Sequence, residues 1–206
     1  QILRGFDHDV RETLAVEMRQ KGIDIRLNIN VTELIRQPDG QILAKLDDGT
    51  AMLADCVMFA TGRVPNVRGL GLQDAGVHVL PGGMIPVDDY SRTNLPHVFA
   101  VGDVTNRVNL TPVALMEGHA FADSEFGGIS RPVDHAFIPS AVFSHPQVAT
   151  VGFSEKEAVT HYGELDIYKS VFRPMKHTLS GREEKTMMKL LVQASSGKVV
   201  GLHVVG

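Results

Sequence analysis

The segment VFAVGDVTNRVNLTPVALMEGHAFADSEFGG, residues 98–128, constrains the fold of this chain more than any other. Its first four residues are apolar and predict a buried strand, which ends at Gly102 and Asp103. Thr111 is suited to be a helix N-cap because a proline follows it, and two glycines at the end of the segment predict the helix stop. Strand followed by helix is the building unit of α/β sheets, in which ligands bind beyond the carboxyl ends of strands.

The carboxylate of Asp103 has two interpretations at this position. It can accept two hydrogen bonds from the hydroxyls of a sugar or sugar alcohol, while the helix that begins near Thr111 offers free N–H groups and a partial positive charge. Alternatively, Asp103 caps a loop and the helix only packs. Composition alone favours the second interpretation, because strand–Gly–Asp–loop is a common sequence.

Two arginines leave similar alternatives. FATGRVPN, residues 59–66, predicts a buried strand that breaks at Gly62 and holds the cation of Arg63 at its end, which suits a phosphate. A tight crossover with a solvated arginine explains the same residues. Arg4 follows an apolar dipeptide and can form a forked contact to a phosphate, but an isolated surface arginine is more often solvated.

The remaining chain divides into two kinds of region. Residues 7–25 predict a helix capped by Asp7 or Asp9, and a β-meander follows. Its last strand, CVMFA (56–60), is expected to be covered on both faces, with Cys56 in the core. Short strands are predicted near 85–87 and, from residue 138 onward, at five places around one helix that starts with a capping box. An α/β region followed by an α+β domain is therefore predicted, with a boundary near residue 135.

Composition excludes several classes of protein. The net charge of -4 without a basic block predicts no nucleic-acid partner, and no apolar run approaches the roughly 20 residues of a membrane span. One cysteine cannot form an internal disulfide, which favours a reducing, cytoplasmic setting, and nine histidines without ligand spacing predict no metal site. The chain starts without methionine and stops within a predicted strand, so a piece of a longer protein is expected.

Three stretches taken together are more specific than any one of them. FATGRVPN, the 98–128 segment and IPSAVFSHPQVATVGFSEKEA, in this order and spacing, resemble the FAD-dependent pyridine nucleotide-disulfide oxidoreductases, most closely the members that reduce glutathione disulfide. The resemblance covers essentially the whole chain. It implies a partial Rossmann-like region followed by an α+β dimer-interface domain, divided into residues 1–62 (NADPH-binding), 63–135 (FAD-binding) and 136–206 (dimerisation).

The resemblance also implies roles for individual residues. Asp103 matches the residue that binds the FAD ribityl chain, and Thr111 the one beside the flavin N1–C2=O edge. Arg4 matches a contact to the NADPH 2′-phosphate. His119 stands where some relatives place an arginine that contacts glutathione, so it is the expected substrate contact. The remaining cofactor-binding residues implied are Gly62 and Arg63, beside the bound cofactors, and Asn109 and Ala141, on the nicotinamide side of the flavin.

The implied reaction passes hydride from NADPH to FAD and then electrons to a cysteine pair that reduces glutathione disulfide in a homodimer. Neither a G-x-G-x-x-G motif nor a cysteine pair is present, so no catalytic residue is expected in this chain, and it is not expected to turn over alone. Two alternatives stay open. One is another member of the same group, such as dihydrolipoamide dehydrogenase or mercuric reductase, and the other is a non-catalytic dimerisation or interaction module derived from such an enzyme.

Overall fold

The computed structural model describes residues 2–206, which form two compact units. One unit comprises the chain up to Met58 together with Phe137–Gly206, and the other is Phe59–Ala136. The three-part division at 62/63 and 135/136 stays a prediction. The elements are α1 (His8–Gln20), β1 (Val31–Arg36), β2 (Ile42–Leu46), β3 (Ala51–Ala54), a 3₁₀ helix (Gly102–Thr105), α2 (Thr111–Glu125), β4 (Ser140–Val142), β5 (Val148–Gly152), α3 (Glu155–Tyr162), β6 (Leu165–Phe172), α4 (Lys176–Ser180), β7 (Thr186–Gln193) and β8 (Val199–Val205).

Helix α1 forms where the sequence predicts it. The side chain of Asp7 is the N-cap and accepts a hydrogen bond of 2.9 Å from the backbone N–H of Asp9. Val10 and Leu14 recur on one face and are buried. Gly22 follows the helix end with a φ of 85°, a conformation that glycine adopts without steric cost.

The predicted meander is confirmed for three strands but not for its last one. Strands β1, β2 and β3 pair antiparallel in that order. The expectation of a covered strand over 56–60 is wrong: the segment forms no strand, Cys56 is exposed, and Met58 and Phe59 are 82% and 64% exposed. A strand needs a neighbour for its backbone hydrogen bonds, and no strand in the described residues pairs with this segment.

Residues 59–136 contain extended segments without a sheet. The strands predicted near 85–87 and over 98–101 are absent, and only an isolated bridge joins Phe99 to Arg92. Single backbone bonds hold the segments instead, for example from Ile85 N–H to the carbonyl of Val104 at 3.1 Å. The apolar runs indicated burial correctly for Ile85 and Ala100, which belong to a small core, but not for Val101, which is exposed. A ladder also requires adjacent strands.

Helix α2 starts one residue earlier than predicted. Its N-cap is Leu110, which has extended φ/ψ angles and accepts backbone hydrogen bonds from Val113 and Ala114. Thr111 is therefore the first helical residue and not the N-cap, and no side chain caps this end. As the first residue of the helix, Thr111 has no intrahelical acceptor for its own N–H.

A five-stranded antiparallel sheet forms the C-terminal part, in the order β4-β5-β8-β7-β6. The predicted strands and the capping box of Ser154 and Glu157 at α3 are confirmed. The short helix α4 was not predicted. Helix α1 packs on this sheet through one apolar cluster, made of Val10, Leu14, Val148, Met187 and Val205.

Candidate functional site

The turn at Gly102 and Asp103 lies directly beside the first turn of α2. Gly102 is buried with a φ of +74°, and a Cβ atom at this position would lie 3.1 Å from the Cβ of Ala114. Any other residue would therefore be both strained and crowded. The side chain of Asp103 is 48% exposed, so its carboxylate is accessible and not turned into a packed interior.

A buried carboxylate on α2 holds this turn. Glu117 is 1% exposed, and its Oε2 accepts a 2.5 Å hydrogen bond from the backbone N–H of Gly102. Its Oε1 lies 2.7 Å from Nε2 of His135. A carboxylate removed from water needs such partners, because burial without them is costly. We call Glu117, Gly102 and His135 the Glu117 cluster.

Sequence reasoning missed Glu117, although a signal was present. The residue shares one helical face with Val113 and Ala120, both buried, at spacings of four and three. A carboxylate on the apolar face of a helix indicates a partner in the interior. What the pattern does not reveal is that the partner is the residue directly before Asp103.

The structure brings Arg63 and Asp103 together, two residues that the sequence indicated separately. Nε of Arg63 lies 3.8 Å from Oδ2 of Asp103, and the arginine side chain is 83% exposed. An exposed pair at this distance contributes little to stability. Both groups consequently stay accessible to a ligand. Gly62, the residue before Arg63, has a φ of +112°, which only glycine adopts readily.

Three further predicted residues lie near or on α2. Asn109 is exposed and donates from Nδ2 to Oδ1 of Asn106 at 3.2 Å. Thr111 is exposed at the helix N-terminus, where the macrodipole is positive. His119 is exposed and lies eight residues after Thr111, about two helical turns or roughly 12 Å along the axis.

The other two predicted residues belong to the unit that contains the five-stranded sheet. Arg4 is exposed on a turn that precedes α1. Ala141 is exposed in β4, opposite Ala149 of β5. A small apolar cavity of about 270 Å³ adjoins it, lined by Pro139, Ser140, Ala141, Ala149, Thr150, Val151, Leu202 and Val204.

The described residues, 2–206, contain neither a metal-binding cluster nor a helix that could span a membrane. No group of three or more His, Cys, Asp or Glu side chains within that range is arranged to hold a metal ion. None of the helices in the same range combines the length and the apolar character that crossing a bilayer requires.

Two family models match the chain. Residues 1–118 match the model for pyridine nucleotide-disulphide oxidoreductases, and residues 138–206 match the dimerisation domain of the same proteins. The chain belongs to this family. The predicted fold class, a partial nucleotide-binding region followed by an α+β dimerisation domain, is thereby confirmed.

Curated relatives extend well beyond this chain. A glutathione reductase from Burkholderia cepacia is 53% identical over 206 residues, which are 100% of this chain and 46% of that protein. A glutathione reductase from Nostoc sp. is 47% identical over 100% of this chain and 48% of that protein. A trypanothione reductase from Trypanosoma congolense is 41% identical over 100% of this chain and 42% of that protein. The chain thus spans about half the length of the curated relatives it matches.

Solved structures share the fold. The HOCl-induced flavoprotein disulfide reductase RclA from Escherichia coli superimposes with a TM-score of 0.86, covering 100% of this chain and 47% of that one, at 24% identity. Its Cu(II) complex gives a TM-score of 0.85 over 98% of this chain and 46% of that one, also at 24% identity. At this identity the likeness concerns the fold alone.

Proposed function

We propose that the chain is part of an NADPH-dependent, FAD-containing enzyme that reduces glutathione disulfide as a homodimer. The observation that carries the proposal is the accessible carboxylate of Asp103 on a turn that Glu117 holds against the start of α2. The identities of 53% and 47% to glutathione reductases support the substrate. The match of residues 138–206 to a dimerisation domain supports the homodimer.

The residues of this turn fit the ribityl chain and ring of FAD. The exposed Asp103 carboxylate offers acceptor oxygens to hydroxyl groups. The position of its turn is fixed by the hydrogen bond from the N–H of Gly102 to Glu117. Thr111 places an unpaired helical N–H at the positive end of α2, which suits the electron-rich edge of a flavin. When bound, FAD would carry electrons from the nicotinamide to a disulfide.

Five more residues belong to this assignment. The exposed guanidinium of Arg63, 3.8 Å from Asp103, would keep a positive charge beside the cofactor, with Gly62 allowing the sharp exit before it. Asn109 and Ala141 would line the nicotinamide side of the flavin. Arg4, exposed on its turn, would bind the 2′-phosphate of NADPH through its planar guanidinium.

His119 would contact the disulfide substrate. An imidazole can donate a hydrogen bond to a carboxylate of glutathione, although with less positive charge at neutral pH than an arginine. The exposed position of His119 on α2 is compatible with such a contact. We further propose a cytoplasmic location, without a nucleic-acid or membrane partner, because glutathione disulfide is reduced where thiols are kept reduced.

The test uses the full-length protein, purified and assayed with NADPH against glutathione disulfide, trypanothione disulfide, lipoamide and mercuric ion. We expect bound FAD and the highest kcat/KM with glutathione disulfide. His119→Arg and His119→Ala should change the KM for the disulfide, whereas His97→Ala, an exposed histidine of the same unit, should not. A preference for another of these substrates would assign the chain to a different activity within the same family. A full-length protein that neither binds FAD nor oxidises NADPH would refute the proposed function.

A further inference from the structure

A buried lysine in the dimerisation sheet gathers three carboxylates. Nζ of Lys189, in β7, lies 2.9 and 3.1 Å from the two carboxylate oxygens of Asp7, 2.7 Å from Asp9 and 2.6 Å from Glu155. Lys189 and Asp7 are each 1% exposed. We call Lys189, Asp7, Asp9 and Glu155 the Lys189 cluster.

The cluster joins segments that are far apart in the chain. Asp7 lies 182 residues before Lys189, and its Oδ2 also accepts a 2.9 Å hydrogen bond from the backbone N–H of Glu155 at the start of α3. Its Oδ1 caps α1 through the N–H of Asp9. One carboxylate therefore attaches the first turns of two helices to a lysine in strand β7 of the sheet.

The surroundings of Lys189 and Asp7 stabilise the charged form of each. Burial lowers the pKa of Lys189, but the hydrogen bonds to Asp9, Glu155 and Asp7 outweigh burial and raise it above its usual value. Burial raises the pKa of Asp7, yet the hydrogen bonds from Glu155 N–H and Lys189 lower it overall. The ammonium and carboxylate forms are therefore both stabilised, as expected for a satisfied buried ion pair.

The turn that carries Arg4 is anchored on both sides of that residue. Leu3 and Phe6 pack against the apolar cluster formed by α1 and the sheet, and the N–H of Phe6 donates to the carbonyl of Leu3 at 3.1 Å. Asp7 of the Lys189 cluster follows Phe6 directly. Within this turn Leu3 has a φ of 47°, a conformation that a residue with a side chain keeps only where the surroundings hold it, whereas Gly5 adopts its φ of 90° without steric cost.

We propose that Lys189 is a positioning residue for the dinucleotide: through Asp7 it fixes the Leu3–Phe6 turn, and so the direction in which Arg4 meets the 2′-phosphate. This inference rests on the proposed use of NADPH. Arg4 itself is exposed on a flexible stem, so the backbone beneath it determines where the guanidinium can reach. Selectivity for a phosphorylated ribose would then depend on a lysine in the dimerisation domain that never touches the nucleotide.

The experiment measures binding and not turnover. The full-length protein is titrated with adenosine 2′,5′-bisphosphate, which carries the 2′-phosphate, and with adenosine 5′-monophosphate, which lacks it. Arg4→Ala should raise the Kd of the bisphosphate by about tenfold or more, the usual loss for one charge-assisted hydrogen bond, and leave the monophosphate unchanged. Lys189→Met and Asp7→Asn should produce the same selective loss with Arg4 in place.

Two variants keep the test decisive. Asp7→Asn retains an oxygen for the α1 cap but removes both the charge that faces Lys189 and the acceptor for the Glu155 N–H. If Lys189→Met does not fold, Asp7→Asn alone decides the test. Lys169→Met is the matched control, because Lys169 contacts Asp9 at 2.5 Å but not Asp7 and is 41% exposed. The control should leave both affinities unchanged.

Each outcome bears on one claim. If Arg4→Ala weakens both probes equally, the 2′-phosphate assignment itself fails. Suppose that Arg4→Ala weakens binding of the bisphosphate alone, while Lys189→Met and Asp7→Asn either weaken binding of both probes equally or change neither affinity. The Lys189 cluster is then only structural, and the positioning role is refuted. A selective loss in all three variants supports the proposal.

Discussion

Two regions of this molecule use a buried carboxylate to hold a turn, but they satisfy it differently. Asp7 meets a lysine ammonium and two backbone N–H groups beside an antiparallel sheet. Glu117 meets a backbone N–H and a histidine in a region without a sheet. In the first case the partner is a full charge supplied by a strand 182 residues away, and in the second the partners lie within 18 residues.

The difference follows from what surrounds each carboxylate. Strand β7 already satisfies its backbone in the sheet, so its inward side chain is available to neutralise a cluster of three carboxylates. Residues 59–136 have few regular elements. In this region the carboxylate of Glu117, and not a backbone carbonyl, accepts the hydrogen bond from the N–H of Gly102. One region is stabilised by charge pairing and the other by completing backbone hydrogen bonds.

The largest effect is expected from Lys189→Met. Removing the lysine leaves Asp7 buried without its counter-charge, and breaking a buried ion pair in this way costs about 3–5 kcal/mol. Urea denaturation of the full-length protein should show a lower midpoint. Lys45→Met, which breaks the exposed pair with Glu33, is the control and should change the midpoint little. Equal shifts for the two variants would contradict the importance of charge pairing in the sheet region.

A smaller loss of folding stability is expected from Glu117→Ala. The N–H of Gly102 loses its buried acceptor, which costs about 1–3 kcal/mol. Glu117→Gln keeps an acceptor oxygen and should lose less, because backbone completion and not charge is the main role of Glu117. Both variants are compared with the wild type by their free energy of unfolding and by the fraction of the protein that binds FAD. A loss in Glu117→Gln as large as in Glu117→Ala would show that the charge itself matters and would remove the contrast with Lys189.

Asp103→Ala should act on cofactor retention rather than on folding. The side chain is half-exposed, so little stability depends on it, but lost hydrogen bonds to the ribityl hydroxyls should weaken FAD binding by about 1–3 kcal/mol. Flavin content after dilution and gel filtration of the full-length protein checks this. Asp74→Ala, an exposed aspartate of the same unit, is the control. Unchanged flavin content in Asp103→Ala would count against the assigned role.

The smallest effect concerns pH and His203, whose register partner in the sheet is Lys189. Burial lowers the pKa of His203 below its usual 6.5, and Nε2 donates to the carbonyl of Phe153 at 3.0 Å in the neutral form. Because the unfolded chain binds a proton that the folded chain resists, stability should fall as the pH drops below 6.5.

His203→Asn should flatten this decline in urea midpoint against pH, whereas His97→Asn, an exposed histidine, should leave it intact. An identical pH dependence in wild type and His203→Asn would mean that His203 titrates alike in the folded and unfolded chains.

Local patterns predicted the elements whose hydrogen bonds are local. Asp7 as the α1 cap, the Ser154–Glu157 capping box and the antiparallel hairpins all depend on residues a few positions apart. The strands over 56–60, 85–87 and 98–101 were predicted wrongly, because an apolar run cannot supply the neighbouring strand that a ladder requires, and over 56–60 the predicted burial was wrong as well. The start of α2 was predicted one residue too late, because both Thr111 and Leu110 are compatible with the start of a helix.

The motifs and their order were enough to identify the family and to indicate Asp103 and Arg4, both of which the structure places on exposed turns. What holds those turns is visible only in the folded chain, since Lys189 lies 182 residues from Asp7 and Glu117 lies 15 residues from Gly102. The physical reason is that a buried charge takes its partner from whatever the folded chain brings within about 3 Å, and no periodicity in the sequence records that distance.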